Sequence, residues 1–185
     1  QILDRMLSLS GIAADPALAT AIVEGISRGQ PVLAAELQIA AMAMRDLRIS
    51  SMPALVKLGG PTELEPAWLH AACEATGNER SALRLCAEIA AVPGPCAAEV
   101  AVRRSNLDPA YAQQALGALE HRGVIARADA DGVTWMLRHE VLAPRVRELS
   151  APARAAARRG FDLLGGKAQS KERLSLRELR ALRTE

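Results

Sequence analysis

The apolar positions in the first part of the chain recur every three or four residues, which is the spacing of one face of a helix. Leu37, Ala40 and Met44 belong to the clearest example, a segment that is apolar around nearly its whole circumference and is therefore expected to be buried. Glycine and proline interrupt the pattern at short intervals, as between packed helices. We predict a helical subdomain over residues 1 to 76.

Capping residues mark several helix ends in this subdomain. Asp15 precedes a proline, so its carboxylate can accept the free amides of a first turn that proline tolerates, and a helix is predicted over about residues 16 to 28. A short helix is predicted to end at Gly59-Gly60, because glycine readily takes the left-handed conformation. Asn78 is expected to cap the helix that opens the next part of the chain.

Residues 77 to 149 show a different order, in which helices are followed by alternating positions. Three helices are predicted there, over residues 79 to 92, 96 to 104 and 109 to 122. An Asp-Gly turn is followed by a segment with a period of two, in which Val133, Trp135 and Leu137 alternate with their chain neighbours. This pattern predicts a β-hairpin. Three helices and a hairpin are the order of a winged-helix domain, and a closing helix is predicted over 139 to 149.

The last segment, residues 150 to 185, differs in charge. Residues 151 to 185 carry nine Lys or Arg against four Asp or Glu, whereas the rest of the chain carries fourteen against seventeen. A helix is predicted to open this basic tail, to break at Gly165-Gly166 and to resume as an amphipathic helix from Leu174 to Leu182. The tail is either a solvated helix leading to another domain or a contact for a membrane surface or acidic partner.

Composition sets the class of the protein. Half of the 185 residues are apolar but only four are aromatic, which favours helices. No apolar run approaches the ~20 residues of a membrane span, and no signal peptide opens the chain. The three cysteines lack metal-site spacing and are expected to be buried, reduced thiols of a cytoplasmic protein. The expected fold is mainly α, with a helical subdomain, a winged helix with a small hairpin wing, and a basic helical tail.

No complete catalytic site is visible in the sequence. The signatures GxxxxGK[ST], GxGxxG, HExxH and GxSxG are missing. His70, His121 and His139 are too far apart to form a helical metal pair, and no metal site is predicted. Gln1 enters directly into a helical pattern, so the chain is expected to be cut from a longer polypeptide.

Two short sequence motifs remain as candidates for a functional site. Gly29-Gln30-Pro31 precedes the apolar helix, and His139-Glu140 follows the predicted wing. In this order, with a winged helix between them, they resemble the GxP and His-Asp or His-Glu motifs of the bacterial STAND class of signal-transduction NTPases, which are NACHT/NB-ARC-like members of the AAA+ group. The resemblance covers about residues 15 to 148. Glu140 stands where many members of the class have aspartate.

The resemblance implies a nucleotide switch. In that class the proline of a helical lid packs on the adenine of ADP or ATP and the histidine reaches the β-phosphate, so Gly29, Pro31 and His139 become the expected cofactor-binding residues. The phosphate-binding loop would lie upstream of Gln1, in an NTPase domain of the same protein that would be the first partner of this chain. Other protein subunits would join on activation, and whether the parent hydrolyses ATP stays open.

Both constellations also have plainer interpretations. The first could be an ordinary helix-breaking loop, and His139 could simply cap a helix or lie satisfied at the surface. In either case the winged helix could act as a protein-interaction adaptor.

The winged helix could also bind DNA through its third helix. The candidate contacts in that case are Arg103, Arg104, Gln113, Gln114 and Arg122. The predicted wing carries Asp129 and Asp131, which would repel phosphate, so a nucleotide-sensing or protein-interaction role is preferred.

Overall fold

The computed structural model describes residues 15 to 27 and 29 to 170, together with Leu3, Arg5, Ser175 and Glu178. The described part is mainly helical, as predicted, with one small antiparallel sheet. Its helices are α1 (Pro16–Ser27), α2 (Ala34–Asp46), α3 (Met52–Leu58), α4 (Leu64–Glu74), α5 (Glu79–Ala90), α6 (Ala98–Ser105), α7 (Pro109–His121) and α8 (Ala143–Ser170). Its strands are β1 (Cys96–Ala97), β2 (Ile125–Arg127) and β3 (Thr134–Leu137), and short 3-10 turns span Pro61–Glu63 and Glu140–Leu142.

The predicted helix starts are confirmed at atomic detail. The side-chain oxygen of Asp15 accepts a hydrogen bond from the Ala17 amide at 2.9 Å, and Asn78 accepts one from the Ser81 amide at 3.1 Å. Such bonds satisfy amides of the first turn that have no partner within the helix. The predicted end of α3 is also confirmed, because Gly59 takes a φ of 111°, which few other residues tolerate.

The sheet has the order β1-β3-β2, and both pairings are antiparallel. The predicted hairpin is therefore present, but the predicted helix over 96 to 104 is wrong in its first two residues, because Cys96 and Ala97 pair with β3. The amide of Ala98 still bonds the Val133 carbonyl at 2.9 Å. Val133 precedes β3 and is 55% exposed, so of the three alternating apolar residues only Trp135 and Leu137 are buried.

Helix α8 differs from the predicted tail. It begins at Ala143 and runs through Gly165-Gly166 to Ser170, so the predicted break there is wrong. Each glycine inside a helix costs only about 1 kcal/mol, and the helix that contains these two is 28 residues long and packs on α5. The helix also crosses the predicted boundary between residues 149 and 150, and the three-part domain division stays a prediction. The predicted amphipathic helix over 174 to 182 lies outside the described residues.

One continuous core runs through the described chain. Buried apolar side chains from Leu18 on α1 to Val146 on α8 form a single cluster, and Trp68 on α4 is its largest fully buried member. Helix α5 lies at the centre, because it contacts α4, α6, α8 and β3. All three cysteines are free and buried, as predicted. Within the described residues no helix is both long and apolar enough to cross a membrane.

Candidate functional site

Pro31 lies on the wall of a cavity of about 340 Å³ between the first helices and the start of α8. We call it the Pro31 cavity. Its lining consists of Gly25, Ile26, Ser27, Gln30, Pro31, Glu36, Ile39, Ala40, Pro61, Thr62, Leu64, Glu65 and Arg145. The volume lies at the small end of the range for ligand pockets and is sufficient for a nucleobase-sized group.

Two local features shape this cavity. A Cβ atom on Gly25 would lie 2.5 Å from the Cβ of Pro61, so only glycine allows the 3-10 turn to pack this closely against α1. On the opposite side, the Glu36 carboxylate accepts a hydrogen bond from the Leu33 amide at 2.7 Å. That bond fixes the end of the Pro31 loop at the start of α2.

The polar wall of the cavity carries two carboxylates and one guanidinium. Nη1 of Arg145 bonds Glu148 at 2.7 Å, and its Nε lies 3.9 Å from Oε1 of Glu65. Burial raises the pKa of Glu65, Glu36 and Glu148 raise it further, and Arg145 opposes them. Apolar surface beside hydrogen-bond acceptors and one cation suits a flat heteroaromatic ring that bears amino groups.

His139 lies outside the lining of the Pro31 cavity. It precedes the 3-10 turn, where its carbonyl accepts the Leu142 amide at 3.0 Å, and its side chain makes no capping bond within the described chain. His139 thus occupies the N-cap position of this turn, but its side chain does not cap it. Burial, with a contribution from the charge of Arg138, lowers the pKa of His139, which keeps the imidazole neutral at pH 7.

The structure thus brings only part of the predicted nucleotide site together. Pro31 faces the cavity, whereas Gly29 is exposed at a φ of 81° and serves the turn of the loop. Arg145 follows His139 by six residues, so the histidine and the cavity are joined through one short segment. Sequence reasoning missed Glu65 and Arg145, because their meeting depends on the packing of α8 against the first helices. The one sequence feature that could have pointed to Arg145 is its short distance along the chain from His139-Glu140.

The five candidate DNA contacts differ in their surroundings. Arg103 and Gln113 line a groove beside the wing, whereas Arg104 and Gln114 are exposed outside its lining. Arg122 instead lies near Asp46 at the end of α2. Burial would raise the pKa of Asp46, but hydrogen bonds from Arg45 and Trp68 and the charges of Arg45 and Arg122 lower it.

The wing turn has its own internal structure. The Asp129 carboxylate accepts hydrogen bonds from the amides of Val133 at 2.9 Å and Thr134 at 2.8 Å, and also bonds the Thr134 hydroxyl. The Thr134 hydroxyl lowers the pKa of Asp129, and so do the backbone amides of Val133, Thr134 and Gly132, against a small opposing desolvation, so the carboxylate stays ionised in the wing. A negative charge at this position disfavours phosphate contact.

Comparison of the chain with protein-family models, curated proteins and solved structures gives no match. Among the residues that the structure describes, no group of three or more His, Cys, Asp or Glu side chains could hold a metal ion.

Proposed function

We propose that this chain is the lid and winged-helix part of a STAND-like nucleotide switch, in which the Pro31 cavity covers the base of bound ADP or ATP. The observation that carries the proposal is that Pro31 lines a base-sized cavity whose lining includes Arg145, a residue of the segment that begins with His139. The two constellations that resemble the STAND motifs are far apart in sequence. Pro31 lines the cavity, and His139, which lies outside the lining, precedes Arg145 by six residues.

The cavity offers suitable chemistry for a nucleobase. Pro31, Ile26 and Pro61, which line the cavity and are exposed or half-buried, supply apolar surface for the ring faces. Glu36 and Glu65 supply acceptors for an exocyclic amino group, since each carboxylate has more lone pairs than its present contacts use. Arg145 and His139 would lie toward the phosphates, where a guanidinium and an imidazole both donate hydrogen bonds.

The second part of the proposal is that residues 77 to 149 form a winged helix. The order α5, β1, α6, α7, β2, β3 supports it, as does a three-stranded sheet with β3 in the middle. In this role the domain would hold the segment with His139 against the nucleotide. ADP would keep an upstream NTPase domain closed against the chain, and exchange for ATP would release it for assembly with other subunits in the cytoplasm.

The test is the nucleotide content of the longer protein that carries this chain. The purified protein is denatured, and the released nucleotides are separated by chromatography. We expect stoichiometric ADP in the parent and a loss of at least about tenfold in affinity for Pro31→Ala and for His139→Ala, which corresponds to about 1.4 kcal/mol.

Matched controls exist for both substitutions. His121→Ala removes an exposed histidine at the end of α7, and Pro93→Ala removes an exposed proline from the turn after α5. Both should retain ADP at the parental level. The absence of nucleotide from the parent, or equal retention in all four variants, would overturn the proposal.

A role in DNA binding has less support. Of its five candidate residues, only Arg103 and Gln113 line the groove beside the wing, and acidic Asp131 lines the same groove. We do not propose it as a second function.

A further inference from the structure

Glu65 contributes a carboxyl group to the wall of the Pro31 cavity, and no residue that the structure describes donates a hydrogen bond to it. Its ion-pair partner is Arg145, whose Nε lies 3.9 Å from Oε1, beyond hydrogen-bond distance. The Glu65 side chain is 31% exposed, so an occupant of the cavity has access to it. By contrast, the Glu36 carboxylate already accepts the Leu33 amide at 2.7 Å. Of the two carboxyl groups in the lining, Glu65 is therefore the one with both oxygens available to a ligand.

Negative charge predominates around this carboxyl group. Glu36 on α2 and Glu148 on α8 act on Glu65, together with the guanidinium of Arg145. Burial raises the pKa of Glu65, Arg145 lowers it, and the charges of Glu36 and Glu148 raise it, with a net rise. Arg145 also bonds Glu148 at 2.7 Å, so its charge is shared between two carboxylates. Glu65 consequently holds a proton more readily than an ordinary glutamate.

A bound nucleotide would strengthen this tendency. The base would displace water from Glu65, and the loss of water disfavours the charged form of a carboxyl group. In the proposed function Arg145 lies toward the phosphates, which takes from Glu65 the group that favours its ionised form. The phosphates also bring negative charge to a cavity that already has two carboxyl groups in its lining. Each of these changes favours a neutral Glu65 in the complex.

The protonation state of a carboxyl group decides which base it pairs with. An ionised carboxylate only accepts hydrogen bonds, whereas a neutral carboxylic acid has one O–H donor beside one acceptor oxygen. Adenine presents an amino donor beside a ring-nitrogen acceptor, which is complementary to the neutral acid. Guanine presents its ring N–H and its amino group side by side, and these two donors suit the ionised carboxylate. A donor or acceptor left unpaired in the complex lowers affinity, so this pairing is a source of specificity.

We propose that Glu65 recognises the adenine base as a neutral carboxylic acid, which donates its O–H to a ring nitrogen and accepts from the neighbouring amino group. The proton comes from solvent, so the binding of ADP is accompanied by proton uptake at Glu65. This inference rests on the proposed nucleotide switch and adds to it the residue that selects adenine over guanine. A glutamine amide also has one donor beside one acceptor, and it pairs with adenine in the same way without a proton.

The experiment measures the binding of ADP and GDP by isothermal titration calorimetry in buffers of different ionisation enthalpy, which gives the affinity and the number of protons taken up. It uses the longer protein of the proposed function, free of nucleotide, as the parent and as Glu65→Gln, Glu65→Met and Glu63→Gln. Glu63→Gln is the matched control, because Glu63 is exposed two residues away and does not line the cavity. Glu65→Met keeps the length of the side chain but has no donor and only a weak acceptor.

We expect the parent and Glu63→Gln to take up more protons with ADP than Glu65→Gln does, by roughly half a proton if binding raises the pKa of Glu65 by about one. The comparison with Glu65→Gln cancels any uptake by the phosphates. The affinity of the parent for ADP should then fall about tenfold as the pH rises through the pKa of Glu65, whereas that of Glu65→Gln should not. Glu65→Gln should prefer ADP to GDP by at least about tenfold, and Glu65→Met should lose this preference.

The possible failures of this inference and of the switch are distinguishable. Equal proton uptake by the parent and Glu65→Gln, in a protein that binds ADP and loses it with Pro31→Ala, overturns the role of Glu65 and leaves the switch intact. A Glu65→Gln variant that binds ADP as weakly as Glu65→Met also overturns that role, because the amide should replace the neutral acid. A parent protein that binds no nucleotide overturns the switch and the role of Glu65 together.

Discussion

Asp46 connects the end of α2 to two other elements, and its replacement by alanine should destabilise the fold measurably. Its carboxylate accepts a hydrogen bond from Trp68 Nε1 at 3.0 Å and pairs with Arg45 Nε at 2.7 Å. Trp68 is 1% exposed, so without Asp46 its N–H would be left without an acceptor in the core. The loss of stability in Asp46→Ala therefore has two sources, the lost hydrogen bond and the buried Trp68 N–H that remains without an acceptor.

The magnitude follows from these contacts. A buried donor left unpaired costs about 1 to 3 kcal/mol. The Arg45 pair adds at most about 1 kcal/mol, because the arginine side chain is 48% exposed and solvent screens it. Asp46→Ala should thus lower the free energy of unfolding by about 2 to 3 kcal/mol. Asp46→Asn keeps an acceptor for Trp68 and should cost about 1 kcal/mol or less.

The assay is urea unfolding of the chain followed by far-ultraviolet circular dichroism. Trp68→Phe removes the donor, so Asp46→Ala should cost about 1 to 2 kcal/mol less in that background than in the parent. This coupling isolates the hydrogen bond from the cavity that Trp68→Phe also creates. An Asp46→Ala variant within 0.5 kcal/mol of the parent, or an Asp46→Asn variant as unstable as Asp46→Ala, would refute the reasoning.

Two further predictions concern acid and the Pro31 cavity. The pKa of Asp46 is lower in the folded chain than in the unfolded chain, so the ionised carboxylate stabilises the fold fully above the unfolded-state pKa, and this contribution is lost as the pH falls below about 4. The difference in the free energy of unfolding between the parent and Asp46→Asn, measured in urea titrations, should therefore close in acid. A difference that does not change with pH would contradict this. Gly25→Ala should destabilise by about 1 to 3 kcal/mol, because its Cβ would overlap Pro61, whereas Gly117→Ala, with open space around its Cβ, should be neutral or stabilising in the same thermal melts.

Local chemistry made several parts of the fold predictable. Asp15 and Asn78 cap helices through bonds to amides two or three residues away, and such short-range interactions can be identified from sequence. The hairpin was predictable for the same reason, since its turn chemistry and alternation lie within a few residues. Strand β1 was not, because its two residues become a strand only by pairing with Trp135 and Thr134, far along the chain.

The candidate site divides in the same way. Pro31 could be singled out because glycine and proline before an apolar helix form a local pattern. Glu65 and Arg145 could not, because they meet only when α8 packs back toward the first helices. The buried indole nitrogen of Trp135 has no hydrogen-bond partner among the described residues, and the pattern along the chain gives no sign of this, since a hydrophobic alternation predicts burial of the ring and says nothing about its nitrogen.

The continuous core bears on how a switch built on this chain would move. Buried side chains of the first helices and of residues 77 to 149 belong to one cluster, and Arg122 at the end of α7 acts on Asp46 at the end of α2. Separating the two parts would expose apolar surface at about 25 cal/mol per Å² and would release Asp46 from part of its stabilising charge. The contact between Arg145 and Glu65 is long and partly solvated, so it can yield to a ligand at little cost. In the proposed switch, a nucleotide-dependent movement should therefore rearrange the lining of the Pro31 cavity and displace the chain as one body against the NTPase domain that the proposal places upstream. It should not open the chain between its own halves.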